Sequence, residues 1–402
     1  MKNNKKPEIR FLGYIEEWEQ RKLDSIVDRV KSYSLSRDVE TNEYTGYKYI
    51  HYGDIHTKVA DVIDESSNLP NIKVGNYELL EKGDLVLADA SEDYQGIATP
   101  AVITIDIPYK LVSGLHTIAL RPKQVDPLFL YYLINSPTFR KYGYKTGTGM
   151  KVFGISVTNL LKFEGMFPLL EEQTKIGKFL KQLDDTIVLH QQELTTLKQT
   201  KQGFLQKMFP KEGASMPEIR FPGFNGAWEQ HKLGQVVNIT MGQSPNGENY
   251  TENPNDHILV QGNADIKNGW VAPRVWTTQV TKSADKGDII LSVRAPVGDV
   301  GKTQYDVVLG RGVAGIKGNE FIFQSLSKMK SNGFWTKYST GSTFESINSN
   351  DLKEAIISVP GEVEQIKIGN FFKQLDDTIS LHQRELEALK ETKKAFLQKM
   401  FV

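Results

Sequence analysis

Two long stretches of the chain carry apolar residues at alternating spacings of three and four. Over 172–209 these positions are Ile176, Leu180, Leu183, Ile187, Leu194 and Leu197. Over 364–401 they are Ile368, Phe372, Leu375, Ile379, Leu386 and Leu389. An average spacing of about 3.5 residues is typical of coiled-coil helices. We therefore predict two long helices that bury their apolar stripes against each other.

Polar residues also occupy or flank these stripes. The polar stripe positions are His190, Lys201, His382 and Lys393. Such residues select a register or a partner, or they extend to solvent near a splayed helix end; the sequence leaves both interpretations open. The pairs Asp184-Asp185 and Asp376-Asp377 lie beside the stripes, and we interpret them as solvated or partner-facing.

The two stretches are copies of one another. At a constant offset of 192 residues, 28 of 38 aligned positions are identical. The segment 7–23 recurs as 217–233, so the duplication extends into the globular parts. The order is domain, helix, domain, helix. We expect the helices to run antiparallel with approximate two-fold symmetry, and the second helix to end near the start of the first domain.

Each globular half reads as a mixture of short strands and helices. Strands are predicted at 47–52, 84–88, 101–105, 116–120, 258–261, 288–293, 307–309 and 313–316. Helices are predicted at 126–142 and 319–330. Strands and helices do not alternate regularly, so the expected class is α+β. The predicted divisions are a first domain at 1–170, a first helix at 171–210, a linker with the second domain at 211–361, and a second helix at 362–402.

Composition limits the classes of protein to which this chain can belong. The chain has 402 residues, 39% of them hydrophobic, no cysteine and a formal net charge of zero. No window approaches the ~18 apolar residues of a membrane span, and we expect a cytoplasmic protein. Zero net charge argues against a surface coated in nucleic-acid-binding charge, yet it allows a local basic face.

Chemical motifs are scarce. The segment 298–303 resembles a phosphate-binding loop, but Pro296 stands where that pattern requires glycine; we interpret it as a solvent turn between strands. The histidines lack the spacing of a zinc site. We find no catalytic constellation, so we expect no enzyme activity, metal or cofactor in this chain.

Several loop residues are candidates for contacts with nucleic acid. In the first half they are Tyr94, Gln95, Lys145, Thr146, Thr148 and Lys151, and in the second Gln243, Ser244, Arg294, Lys302, Arg311, Ser342 and Thr343. Hydroxyls, lysines and flexible glycines suit phosphate contacts, and arginine reads guanine bidentately. The alternatives are plain turns for the glycine-rich loops and surface ion pairs for the arginines.

The duplicated order resembles the specificity subunit of type I restriction-modification systems. The resemblance rests on Pro168 with Glu172-Gln173, on Pro360 with Glu364-Gln365, and on the turns 146–148 and 340–342. It implies two target recognition domains that each read one half of a bipartite site in double-stranded DNA. The helices would set the spacing and dock two modification subunits.

The same resemblance assigns the chemistry to other chains. Modification subunits would methylate adenine with S-adenosylmethionine, and restriction subunits would use ATP and Mg to translocate and cleave DNA. The alternative is a helical scaffold that presents two protein- or glycan-binding domains.

Overall fold

The computed structural model describes residues 6–149, 152–338 and 346–402. The chain forms two compact units, Met1–His190 with Leu386–Val402, and Gln191–Glu385. Each unit combines one mixed domain of strands and helices with part of each of two long helices. No helix among the described residues is both long and apolar enough to cross a membrane.

The first domain contains two main sheets. Its strands are β1 (Glu19–Lys22), β2 (Val27–Val30), β3 (Glu40–Thr41), β4 (Tyr47–Ile50), β5 (Val62–Ile63), β6 (Asn71–Ile72), β7 (Leu85–Ala88), β8 (Ala90–Ser91), β9 (Pro100–Ile103), β10 (Lys110–Ser113), β11 (Thr117–Pro122), β12 (Phe153–Gly154) and β13 (Glu164–Phe167). Its helices are α1 (Leu23–Ile26), α2 (Tyr52–His56), α3 (Pro127–Asn135), α4 (Pro137–Thr146) and α5 (Val157–Leu161), followed by the long helix α6 (Leu170–Lys207). The sheet orders are β2-β11-β7-β9-β5 and β10-β4-β6-β3, with the pairs β1-β13 and β8-β12.

The second domain repeats this plan. Its strands are β14 (Glu229–Lys232), β15 (Asn238–Met241), β16 (Tyr250–Thr251), β17 (His257–Val260), β18 (Ile266–Lys267), β19 (Trp270–Val271), β20 (Trp276–Thr277), β21 (Ser283–Ala284), β22 (Ile289–Ser292), β23 (Val300–Lys302), β24 (Val307–Leu309), β25 (Val313–Lys317) and β26 (Ile356–Val359). Its helices are α7 (Leu233–Val236), α8 (Glu320–Ser331) and α9 (Ser349–Glu354), followed by the long helix α10 (Glu362–Lys399). The sheet orders are β15-β25-β22-β23-β19-β18 and β16-β20-β17-β24-β21, with the pair β14-β26.

The predicted strands are confirmed, as is the helix at 319–330, which is α8. The prediction of a single helix over 126–142 is wrong. Ser136 adopts an extended conformation with φ −72° and ψ 156°, which separates α3 from α4. Pro137 explains the break, because proline lacks an N–H and its ring disfavours helical geometry in the preceding residue.

The core of the first unit joins distant parts of the chain. Leu85 and Leu120 from the main sheet pack with Phe129 of α3, and all three are fully buried. The start of α6 adds Ile176 and Leu180, and the end of the chain adds Met400 and Phe401. The Phe401 ring lies 5.4 Å from the Phe129 ring.

The core of the second unit uses the same combination. Leu291 and Ile316 from the sheet pack with Phe321 of α8. The start of α10 contributes Ile368 and Phe372, and the residues after α6 contribute Met208 and Phe209. Phe209 stacks on Phe321 at 5.3 Å between ring centroids.

Segments of the two long helices run antiparallel inside each unit. In the first unit, the rings of Phe179 and Phe396 are 4.9 Å apart, and Asp184 pairs with Lys393 at 2.5 Å. In the second, the Phe204 and Phe371 rings are 5.1 Å apart, and Lys201 pairs with Asp376 at 2.6 Å. All twelve apolar stripe residues named above are buried or half-buried.

These ion pairs correct the interpretation of the aspartate pairs. Asp184 also accepts a hydrogen bond from the Tyr132 hydroxyl, and Asp376 accepts one from Gln324. Both carboxylates are therefore half-buried and occupied within their units, and only Asp185 and Asp377 are exposed. Lys201 and Lys393 likewise pair inside the units rather than extend to solvent.

A buried ion pair fastens the start of each domain to a long helix. Arg10 donates twice to Glu172 at 2.7 Å, and Arg220 donates twice to Glu364 at 2.6 and 2.7 Å. Glu172 and Glu364 are almost completely buried. The hydrogen bond with Glu172 raises the pKa of Arg10, and the one with Glu364 raises the pKa of Arg220.

The chain ends near its beginning, as the repeat order predicts. The Ile9 N–H donates to the carbonyl of Lys399 at 3.0 Å. The Ile219 N–H donates to the carbonyl of Lys207 at 2.9 Å. The same backbone contact therefore occurs in both units. In the second unit a short stretch of chain joins Lys207 to Ile219, whereas in the first unit Ile9 and Lys399 lie near opposite ends of the chain.

The first prediction concerns this ion pair. Glu172→Gln will lower the free energy of unfolding of the first unit by about 3 kcal/mol, because it leaves a half-buried guanidinium without its charge partner. Glu171→Gln is the matched control, since Glu171 precedes it on the same helix end but its side chain is largely exposed. Urea unfolding followed by circular dichroism measures both. Equal destabilisation by the two variants would contradict a special role for the buried pair.

A glycine lets each long helix approach its domain closely. A Cβ on Gly177 would lie 2.8 Å from the Leu128 Cβ and 2.9 Å from the Phe129 nitrogen. A Cβ on Gly369 would lie 2.9 Å from the Glu320 Cβ. Such distances are too short for any side chain, so the helix surface at both positions must be bare.

The second prediction contrasts two glycines of the same helix. Gly177→Ala will destabilise the first unit because overpacking forces α3 away, at a cost of about 1–3 kcal/mol. Gly203→Ala will be neutral or stabilising, because its Cβ meets nothing within 4 Å and Ala395 already occupies the equivalent position of α10. Thermal unfolding of both variants measures the difference. A stabilising Gly177→Ala would show that the close approach is not required.

Candidate nucleic-acid interface

Three loops of the second domain meet at one edge. The Gln243 N–H donates to the carbonyl of Leu309 at 2.8 Å, and the Arg311 N–H donates to the Ser244 hydroxyl at 3.2 Å. The Val293 N–H, next to Arg294, donates to the carbonyl of Gly312 at 2.9 Å. The predicted contact residues Gln243, Ser244, Arg294 and Arg311 are thereby brought together. We call these four residues the arginine edge.

Glycines make the tight approach of these loops feasible. A Cβ on Gly312 would lie 2.1 Å from the carbonyl oxygen of Gln261, and a Cβ on Gly242 would lie 2.1 Å from that of Gly310. The turn between β24 and β25 therefore places Arg311 between two glycines, one of which must stay bare. Glycine serves here for close backbone approach.

The arginine edge carries exposed positive charge. Arg294 and Arg311 are both exposed, and within the described residues neither lies within salt-bridge distance of a carboxylate. By contrast, Arg274 of the same domain pairs with Asp265 at 2.7 Å. The surface ion-pair alternative therefore finds no support for these two arginines. Among the residues that the structure describes, no carboxylate competes for their forked donors, whose geometry suits phosphate or guanine.

Two further polar residues border this edge, and they were not predicted as contact residues from the sequence. The Gln261 side chain donates to the Tyr250 hydroxyl at 3.1 Å, and Tyr250 is 38% exposed. Gln261 follows β17, which lies parallel to β24. Only the pairing of these strands places Gln261 near Arg311, so local sequence carried no signal for it.

The first domain presents exposed aromatic rings near its predicted residues. The Tyr94 ring lies 3.9 Å from the Phe153 ring and 6.1 Å from the Tyr144 ring. The Arg140 guanidinium holds this loop by donating to the carbonyls of Gln95, at 3.2 Å, and of Ile97. Burial lowers the pKa of Arg140 to about 10, which leaves it positively charged at neutral pH.

The remaining first-domain candidates lie at the end of α4 and in the turn after it. Lys145 is exposed, and the Thr146 hydroxyl donates to the carbonyl of Tyr142 at 2.9 Å. The backbone of Thr148 pairs with that of Gly154 in both directions, at 2.9 and 3.0 Å. Thr148 and Lys145 are therefore accessible to a ligand, whereas the Thr146 hydroxyl is occupied.

The repeated domains match one protein family along most of the chain. The family model for the type I restriction modification DNA specificity domain matches residues 15–199 and again 225–391. The chain belongs to this family. The two matches cover both mixed domains and most of both long helices, so the duplication seen in the sequence is a duplication of the specificity domain.

Full-length relatives support this placement. The chain is 28% identical to the type I restriction enzyme MjaX specificity subunit of Methanocaldococcus jannaschii, covering 98% of this chain and 95% of that one. It is 23% identical to the MjaVIII specificity subunit of the same organism, with 97% and 93% covered.

Solved structures show the same fold. The S subunit of a type I restriction-modification system from M. genitalium aligns over 99% of both chains with a TM-score of 0.67 and 16% identity. A chain from a structure of type I R-M complex assembly and conformational transition aligns over 94% of this chain and 96% of that one, with a TM-score of 0.56 and 21% identity.

Lys302 of this specificity chain lies inside its domain. Its Nζ is 2.7 Å from Glu320 and lies over the rings of Trp270 and Phe323, at 5.0 and 4.8 Å. These contacts favour a structural role over a phosphate contact. The expectation of a solvent turn at 298–303 holds only for its first residues, because a turn at 297–298 leads into β23 at Val300–Lys302, which pairs with β22 and β19.

Three predicted contact residues lie outside the described residues. They are Lys151, Ser342 and Thr343. The bridge between Arg294 and Ser346 places Ser346 beside the arginine edge.

Proposed function

We propose that this chain is the DNA-recognition subunit of a type I restriction-modification complex, in which each domain reads one half of a bipartite site. The observation that carries the proposal is the arginine edge, whose two exposed arginines lie on tight turns of a domain that matches the specificity-domain family. Neither arginine has a carboxylate partner in the described part of the chain. Arginine at such a position supplies the two parallel donors that match guanine O6 and N7 in the major groove.

The balance of charge suits recognition inside an assembly. The formal net charge is zero, so this chain alone offers few sites for phosphate neutralisation. Nonspecific affinity for DNA comes mainly from such contacts and falls steeply with salt. We therefore assign most phosphate contacts to partner subunits and the reading of bases to this chain.

The chemistry belongs to those partners in this proposal. Two modification subunits bind S-adenosylmethionine and methylate adenine, and restriction subunits use ATP and Mg to move and cut DNA. This chain contributes recognition and spacing, without a catalytic site of its own. The cytoplasmic location expected from the sequence stays a prediction.

Exposed leucines on the long helices are candidates for docking the modification subunits. Leu189 of α6 and its counterpart Leu381 of α10 are 54% and 49% exposed. Large apolar side chains on a helix surface at equivalent positions suit two copies of one partner. The stripe leucines Leu183 and Leu375 are half-buried within their units, so charges there would test folding instead of docking.

The third prediction concerns the specificity itself. Cells that co-express this chain with its modification subunit will carry methylated adenine in a bipartite motif with a fixed gap. Base-resolution mapping of methylation measures it, and cells with the modification subunit alone are the control. A soluble complex without any motif would contradict recognition and favour the scaffold alternative.

The fourth prediction concerns docking. The double variant Leu189→Glu with Leu381→Glu will weaken capture of the modification subunit by about tenfold or more, because buried apolar contacts dominate such interfaces. Gln182→Glu with Gln374→Glu is the matched control, since it adds the same two charges at equivalent exposed polar positions of α6 and α10. Co-purification at varied concentration measures the affinity. Unchanged capture by the double variant would place the docking surface elsewhere.

A further inference from the structure

The arginine edge is built on a framework of backbone hydrogen bonds. Besides the bond from Val293 to Gly312, the Gly310 N–H donates to the carbonyl of Val260 at 2.8 Å. The Ile347 N–H donates to the carbonyl of Val293 at 2.9 Å. Together these bonds hold the turn after β24 between the end of β17 and the end of β22.

The first domain repeats this framework bond for bond. The Asp89 N–H donates to the carbonyl of His116 at 3.0 Å, and the Gly114 N–H donates to the carbonyl of Ile50 at 2.9 Å. The Ile155 N–H donates to the carbonyl of Asp89 at 2.9 Å. The strand pairs agree, because β10 lies parallel to β4 as β24 lies parallel to β17. The turn 114–116 is therefore the counterpart of 310–312.

Different side chains occupy this equivalent edge. His116 projects from the turn with its side chain 51% exposed, and its Nδ1 lies 3.1 Å from Asp89 Oδ1. The Tyr52 ring meets the His116 ring edge-on at 5.3 Å. We call Tyr52, Asp89 and His116 the histidine edge. None of these three residues was singled out from the sequence.

The backbone at His116 is strained. Its φ of 54° lies in the left-handed region, where a side chain costs free energy that glycine avoids. Strained residues persist where the surrounding structure enforces them, and they concentrate at functional sites. The ring of His116 is exposed and its contacts with Asp89 and Tyr52 lie outside the core, so it is accessible to an external ligand.

Asp89 fixes the hydrogen-bonding character of the ring. An ionised carboxylate only accepts hydrogen bonds, so the proton of the neutral imidazole lies on Nδ1. Nε2 then presents an exposed lone pair, which is an acceptor. In the major groove, the matching donors are the exocyclic amines of adenine N6 and cytosine N4.

We infer that His116 reads adenine or cytosine in the half-site of the first domain, positioned by Asp89 and bordered by Tyr52, where Arg294 and Arg311 read guanine in the other. This inference rests on the proposed function and specifies which DNA bases the two domains recognise. One framework thus supports two different donor and acceptor patterns, which gives an asymmetric bipartite site.

The test uses the assembled complex of this chain with its modification subunits and base-resolution mapping of methylated adenine. His116→Gly will lower the preference for the recognised base at one position of one half-site by about tenfold, which corresponds to the loss of one hydrogen bond. The thermal unfolding midpoint will stay equal or rise. Asp89→Ala will relax the same position, and Asp89→Asn will retain it because the amide oxygen still accepts from Nδ1. Arg311→Ala will lower the preference for guanine at one position of the other half-site.

Lys58→Gly is the matched control, because Lys58 is another exposed, left-handed residue of the first domain, with φ 59°. It will leave the motif unchanged. Unchanged half-sites in His116→Gly would overturn the inference and leave the proposed function standing. So would relaxation by His116→Gly and Arg311→Ala within the same half-site. A wild-type complex without a bipartite motif would overturn both.

Discussion

Burial of the helix ends is the interaction on which each unit depends. Met400 and Phe401 complete the core around Phe129 in the first unit, and Met208 and Phe209 complete the core around Phe321 in the second. Each such side chain stabilises by about 1.5–3 kcal/mol when fully buried. The second unit is one continuous segment, whereas the first draws on both ends of the chain. The same packing therefore forms with different connectivity, so side-chain complementarity determines it.

Polar contacts also orient the start of each domain on its long helix. Buried ion pairs contribute little net stability compared with apolar replacements, but breaking one is costly. The Arg10–Glu172 and Arg220–Glu364 pairs hold the start of each domain in one orientation on its helix through two parallel hydrogen bonds. Gly177 and Gly369 act in the same sense, because only a bare helix surface admits the close approach of α3 or α8.

The repeat and the long helices were predictable because their signals are local and periodic. Eight of the strands were also predicted, since short apolar runs between turn residues identify them. The break at Pro137 was missed although its signal is local. The partners of Asp184 and Lys302 could not be found, because those contacts join residues far apart in the sequence. Arg294 and Arg311 of the arginine edge were each proposed as a contact residue from the sequence. Only the turn geometry shows that they lie close together.

The histidine edge shows why the residues proposed to read bases escape sequence reasoning. His116, Asp89 and Tyr52 are brought together by backbone hydrogen bonds between strand ends, which leave no mark in composition or spacing. A framework made of backbone groups does not itself specify most of the side chains at its exposed tips, although Gly312 must stay bare. The repeated helices and cores are under packing constraints that the tips do not share. Divergence of the exposed side chains between the two domains is then a direct physical consequence of where the framework places them.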